Sequence, residues 1–414
     1  MRRILGVLAL ALSMASGAGA QTPNPQPAEI PGSELTVYLM TMGQGDAVWE
    51  RFGHNALGIR NEKTGEEGLY NWGMFDFAQP GFIPRFLQGY MVYSMANTPV
   101  LATIEHYRQA NRTVQVAELA LTPAQRLALL ELVRINERPE NAQYRYDYYR
   151  DNCSTRVRDA LDRVLNGAIR TKFDTVLSGM SYRDHSLRLM QGAMGLWTGI
   201  DIGLGQPTDP PSTAWEEMFI PMVLRDYLRT LQVPDESGSM VSLVRSERTL
   251  VQATRVEEPA RPASYLWQFL VAGLACAGIL FSLGRGRGAA RTAAVALATT
   301  WAALAGFLGV LLTLLWTITE HAAAYRNENL FQFNPLWLIL AFLVPLALRR
   351  AHGHPGASKL AMICALLSVT GVAVQLLPWF YQDNGPILAF AVPMHLAVSA
   401  LVLGNGVRAR EMSA

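Results

Sequence analysis

At 414 residues and a formal net charge of +2, the chain is long enough for two or three domains. Half of it is apolar and only 16% is charged, against roughly 25% charged in an average soluble domain. That balance excludes a basic nucleic-acid-binding protein and a wholly soluble enzyme, and three cysteines cannot build a disulfide framework or a structural zinc site.

Taken in chain order, Met1-Arg2-Arg3, an apolar run from Ile4 to Met14 and the small residues Ala18-Gly19-Ala20 read as a secretory signal peptide over 1–20, cut before Gln21. No cysteine follows the cut, so the chain is not itself a lipoprotein. Residues 21–32 are a proline-containing linker, 33–232 an extracytoplasmic domain, and 233–264 a polar tether. Within the domain, Glu34–Met42, Asn55–Arg60, Gly68–Phe77 and Val114–Leu121 read as strands. Thr122-Pro123-Ala124-Gln125 is a capping box with Pro at the first helical position, opening a helix through about Asn136. Asp151-Asn152-Cys153 opens another, with Val157, Ala160, Leu161 and Val164 on one face. The mixture predicts an α+β domain.

Residues 265–414 form an all-α transmembrane domain with five spans: Tyr265–Leu283, Thr292–Ile318, Phe331–Leu348, Leu360–Phe380 and Ile387–Leu403. Arg285, Arg287 and Arg291 lie in the first connection, Arg349, Arg350 and Lys359 in the third, and Arg408 and Arg410 in the tail. The second and fourth connections hold only Arg326 among Glu320, Glu328 and Asp383. The positive-inside rule therefore predicts a cytoplasmic C-terminus and an extracytoplasmic soluble domain, in agreement with the signal peptide.

Cys276 and Cys364 fall inside spans and read as small apolar residues. Cys153 is the one cysteine of the exported domain, and two readings stand side by side: a reactive thiol whose pKa a helix N-terminus lowers toward thiolate, or a buried core residue. His54, entering a strand after Gly53, has the right chemistry to take a thiol proton, although a lone histidine is more often structural. His321, Asn327, Asn329 and Asn334 crowd the second outer connection, where they either meet a lipid headgroup or form a solvated loop. Tyr144, Tyr146, Tyr148 and Tyr149 alternate before Cys153 and either shape an acyl groove or pack on a sheet. His395 in the fifth span lines a polar cavity or bonds a neighbouring helix. Asp201 and Asp209 flank a glycine-rich turn without enough neighbours for a metal site, and neither a metal nor a cofactor is expected.

The order of the blocks says more than any one of them. Phe52-Gly53-His54, then Tyr70-Asn71-Trp72-Gly73-Met74-Phe75-Asp76-Phe77, then Tyr148-Tyr149-Arg150-Asp151-Asn152-Cys153-Ser154-Thr155 resembles the Lnb-type bacterial lipoprotein N-acyltransferases. Tyr182-Arg183-Asp184, Gly203–Asp209, Met218–Pro221 and Asn327–Leu336 extend the resemblance over most of the chain. The resemblance implies a circularly permuted papain-like domain, similar to NlpC/P60 thiol enzymes. It implies Cys153 as nucleophile, His54 as base and Asn71 as the orienting third residue, with Asp76 as the alternative. Asn152 and backbone N–H groups at the helix start would support an oxyanion. A departure is Gly58, where the family more often carries a larger polar or basic residue.

The expected activity is thiol acyl transfer from a phospholipid donor to a lipoprotein acceptor at the bacterial inner membrane, with no nucleic acid involved. A Cys–His hydrolase of the same fold and a non-catalytic membrane-anchored binding protein are the rival expectations.

Overall fold

The computed structural model describes residues 30–349 and 354–411, with 405–411 described by backbone alone. The expected signal peptide, nearly all of the 21–32 linker, and Arg350 and His352 lie outside the described residues. The chain begins with an antiparallel meander, β1 (Leu35–Met42), β2 (His54–Asn61) and β3 (Glu67–Met74). It continues through α1 (Phe82–Gln88), β4 (Val92–Thr98), α2 (Val100–Gln109), β5 (Val114–Leu119) and α3 (Pro123–Glu137). There follow β6 (Gln143–Arg145), α4 (Cys153–Val164), α5 (Tyr182–Leu189), α6 (Met194–Gly203), α7 (Pro221–Leu228) and β7 (Val244–Val251). The main sheet runs β7-β5-β1-β2-β3-β4-β6, and every pair in it is antiparallel.

Both faces of this sheet are covered, and strand alternation decides what each face buries. Leu35, Val37, Leu39, Leu57, Ile59, Tyr70 and Trp72 pack against Val157, Ala160, Leu161 and Val164 of α4. The opposite parity, Tyr38, Met40, Met42, Ala56 and Leu69, packs against Val100, Ile104 and Tyr107 of α2. The helix starts follow the sequence closely: Thr122 caps α3 in a capping box with Gln125, and Asn152 caps α4 in one with Thr155.

The expected tether is the main correction to the reading of the sequence. Residues 232–234 and 240–242 form a small hairpin, and β7 adds to the sheet along β5 as its edge. Its side chains are mostly exposed and polar, with register shifts at both ends, as suits an edge strand. The bonds that hold it come from the backbone, so no alternating apolar pattern announced it.

Five apolar helices follow, at Leu266–Arg285, Ala289–Thr317, Glu328–Arg349 (the last including a short 3-10 turn), Pro355–Leu376 and Gly385–Gly404. Small residues let the second and third approach closely: a Cβ on Gly306 would fall 2.1 Å from the Leu338 nitrogen, the kind of contact that holds helices together in lipid. The soluble domain sits directly on one end of the bundle. Gly205 N–H donates to Ala323 O (2.8 Å) and Glu320 N–H to Gln88 O (2.7 Å). Trp197 of α6 meets Tyr265 and Phe269 edge-on or tilted at the start of the first spanning helix.

Candidate active site

The first residue of β2 is His54, and its ring Nε2 lies 3.1 Å from Asn71 Oδ1 on β3. The Asn71 amide nitrogen donates to Leu69 O and to Thr98 Oγ1, each at 2.9 Å. Those donations fix which end of the amide faces the ring, so the oxygen accepts and Nε2 carries the hydrogen. Nδ1 is left as the acceptor, the tautomer a general base requires. Asn71 is buried behind His54.

Cys153 is the first residue of α4 and is 9% exposed. The backbone N–H dipoles of Asn55, Cys153 and Ser154 favour its thiolate, and Ser154 N–H itself donates to Asn152 Oδ1 (2.8 Å). Gly73 lets β3 pass close to the cysteine. Its φ of +85° lies in the left-handed region, the β3–β4 register shifts between Asn71 and Met74, and a Cβ there would sit 3.2 Å from Cys153 Cβ.

The strand and the helix are stapled by a residue the sequence reading passed over. Asn55 Nδ2 donates to Ser154 Oγ (3.2 Å) and Pro221 O (3.1 Å), while its oxygen accepts from Thr41 Oγ1 (2.8 Å). Ser154 Oγ in turn donates to Met218 O at 2.7 Å. A second missed residue is Arg112, buried with Nε on Gly43 O (2.8 Å), Nη1 3.4 Å from Glu50 and the guanidinium 4.5 Å from the Tyr107 ring centre. Its charge favours the Cys153 thiolate and opposes protonation of His54. Both work through distant chain segments, and no local spacing in the sequence marks them.

Burial dominates the electrostatics. It pushes the Cys153 thiol up to about 11, against the pull of the surrounding N–H groups and Arg112. It pushes His54 down to about 4, with the Asn71 hydrogen bond opposing and Arg112 reinforcing the fall. The expectation of a thiolate at the helix N-terminus is therefore corrected: desolvation outweighs the helix end, and the resting pair is neutral thiol and neutral imidazole.

Other expected residues fall elsewhere. Asp76 is exposed and accepts from Ala78 N–H (2.8 Å) in a turn beyond β3, so it does not orient His54. Asn152 spends its amide entirely on structure, accepting from Ser154 and Thr155 N–H and donating to Tyr148 O (2.9 Å) and Phe219 O (3.0 Å). It shapes the helix start and has no proton left for an oxyanion. Asn327 donates to Ile202 O (2.8 Å) and Gly203 O (3.1 Å), and Asn329 to Asp201 O and Ile202 O. Both pin the soluble domain to the bundle and neither is free for a headgroup. Asn334 is buried at the start of the third spanning helix, donating weakly to Phe331 O. His321 alone of this group lines a cleft, beside Tyr146, Tyr148, Arg150 and Glu320 at the junction of the two parts. His395 bonds Ser368 Oγ at 3.0 Å inside the bundle and stacks on Trp337. Asp201 and Asp209 both hold the fully buried Arg183 at 2.8 Å.

These features define a multi-pass membrane protein whose α/β domain, docked on one end of the bundle, carries a hydrogen-bonded histidine–asparagine pair on its sheet and a buried cysteine at the start of the helix packed against that sheet. The chain belongs to the Lnb family. The model of the Lnb N-terminal periplasmic domain matches residues 22–186 and that of the Lnb transmembrane domain matches residues 261–402. No curated protein and no solved structure matches the chain. The end of the bundle that carries the α/β domain is accordingly its periplasmic end.

Proposed function

We propose that the protein is a thiol acyltransferase of the bacterial inner membrane, its C-terminus cytoplasmic, moving a fatty acyl chain from a phospholipid to the amino-terminus of a lipoprotein. The observation that carries this reading is the His54–Asn71 hydrogen bond, which leaves Nδ1 as a proton acceptor on a strand packed beside the helix that Cys153 opens. Membership of the Lnb family and the position of the domain on the membrane support lipid as the substrate.

In this mechanism His54 Nδ1 takes the Cys153 proton as sulfur attacks the ester carbonyl carbon. The oxyanion is met by the backbone N–H of Cys153 at the α4 start, since those of Ser154 and Thr155 already donate to Asn152 Oδ1. Collapse breaks the acyl C–O bond, and the departing lysophospholipid alkoxide takes its proton from His54. The acceptor amine then attacks the thioester carbonyl, its proton passes to His54, and the C–S bond breaks to return Cys153. Neutral resting partners require the proton to move with the attack, so charge develops only in the transition state.

The experiment is product partition. Purified protein in bilayers containing phosphatidylethanolamine is given a diacylated lipopeptide with a free amino-terminus, and products are weighed. A lipopeptide heavier by one acyl group supports transfer. Free fatty acid with unmodified lipopeptide identifies a hydrolase, and neither product favours a binding protein.

A further inference from the structure

A second feature lies between the thiol and the membrane. Residues 74–90 carry only Asp76 and Arg85 as charges. The segment exposes Phe77 (55%), Ile83 (55%), Phe86, Leu87 (63%) and Tyr90, with Trp49 beside them. Trp49 meets Phe75 and Phe77 at 6.3 and 5.6 Å between ring centres. Arg85 is turned back onto Pro80 O and Gln79 and leaves the apolar side clear. An apolar patch of this kind on a folded domain marks an interaction surface.

What covers it follows from its attachment. Gln88 O accepts from Glu320 N–H, and His321 Nε2 lies 3.0 Å from Phe86 O. At Gly89, with φ of +79°, a Cβ would fall 2.7 Å from the Glu320 carbonyl carbon. Glu320 stands just past Thr317, the periplasmic end of the second spanning helix, where Trp316 and Ile318 are exposed. The apolar side of α1 therefore continues the lipid-facing surface of the bundle at the depth where aromatic residues favour the bilayer interface.

The same patch is connected inward. Phe86 stacks on Phe82, Phe82 on Phe75, Phe75 on Tyr93 and Tyr93 on Tyr146, with ring centres 6.2, 6.1, 5.0 and 4.2 Å apart. Tyr146 and Cys153 both border the space left by the missing side chain of Gly73, at 3.7 and 3.2 Å. A continuous stack of rings, buried at Phe82 and Tyr93, joins the membrane-facing helix to the residues around the thiol.

We infer that α1 is seated in the periplasmic leaflet as a lipid-binding element and that a phospholipid held there supplies the acyl chain that reaches Cys153, with the ring stack fixing α1 relative to the thiol. The delivery part rests on the acyl-transfer reading above, whereas the seating of α1 does not. The test places the full-length protein in phosphatidylethanolamine–phosphatidylglycerol vesicles doped with a phospholipid bearing a mid-chain diazirine. After irradiation, adducts are mapped by peptide mass spectrometry in the wild type and in Cys153→Ala. Adducts on residues 82–90 in both are expected, and adducts confined to the spanning helices overturn the inference. In Ile83→Glu/Leu87→Glu those adducts disappear. Thioester yield from bilayer phospholipid falls by about tenfold or more, since losing one buried aliphatic contact already weakens lipid binding by that factor. A full thioester yield in that variant overturns the delivery route. Adducts on 82–90 in a protein that never forms a thioester support the seating of α1 and retire acyl transfer.

Discussion

Replacing Asn71 with alanine isolates the orienting role of the third residue. The change removes the acceptor 3.1 Å from His54 Nε2 and leaves Leu69 O and Thr98 Oγ1 without their amide partner. In the resting enzyme the lost bond is neutral, but His54 becomes imidazolium as Cys153 attacks. A hydrogen bond to a charged group is worth about 1.5–3 kcal/mol, so the transition state loses about 10- to 100-fold in kcat. KM should hold, because Asn71 is buried behind the ring and presents nothing to substrate. The assay is the single-turnover rate of thioester formation, with the thermal midpoint recorded alongside to confirm folding. Asn71→Asp is the companion: a carboxylate in the same place still accepts from Nε2–H and raises the His54 pKa, so activity survives with its acid limb shifted upward. An unchanged kcat in Asn71→Ala, or a loss confined to KM, refutes the assignment.

Other outcomes follow from burial. His54 must be neutral to accept a proton, and its pKa is lowered to about 4, so the acid limb of the pH–rate profile should fall near pH 4 and not near 6.5. The Cys153 thiol, raised from 9.0 to about 11, holds about 100-fold less thiolate at pH 7 than an unperturbed one. Iodoacetamide should therefore label it slowly at neutral pH and faster as pH rises toward 11, and slow labelling does not argue against catalysis. Arg183→Met strands Asp201 and Asp209 and should cost about 3–5 kcal/mol, read as a lower thermal midpoint. Asn327→Ala removes two bonds to the α6 end, and hydrogen exchange around 201–205 should rise while the sheet stays protected.

The parts that were legible in the sequence are those with a local cause. Thr122 and Asn152 announce helix starts through side chains three residues from their partners. The five apolar runs need only length and composition. Cys153 and His54 stood out by residue type and place, and the resemblance joined them to Asn71. What stayed hidden depends on register or on distant segments. Asn71 and Asp76 share one stretch of chain, and only the pairing of Ala56 with Asn71 decides which of them meets His54. Asn327 and Asn329 looked like loop polars because their partners, the carbonyls of residues 201–203, lie over 100 residues away. The choice between the two readings of Cys153 has the same cause: a helix end is visible in sequence, whereas the packing that buries the thiol and raises its pKa is not.

The central claim is a covalent acyl intermediate on Cys153. Intact mass spectrometry of the wild type and Cys153→Ala after incubation with phospholipid bilayers tests it directly. An adduct of one acyl chain, removed by hydroxylamine and present only in the wild type, is the predicted result. Folded wild type with a free thiol and no adduct would contradict it.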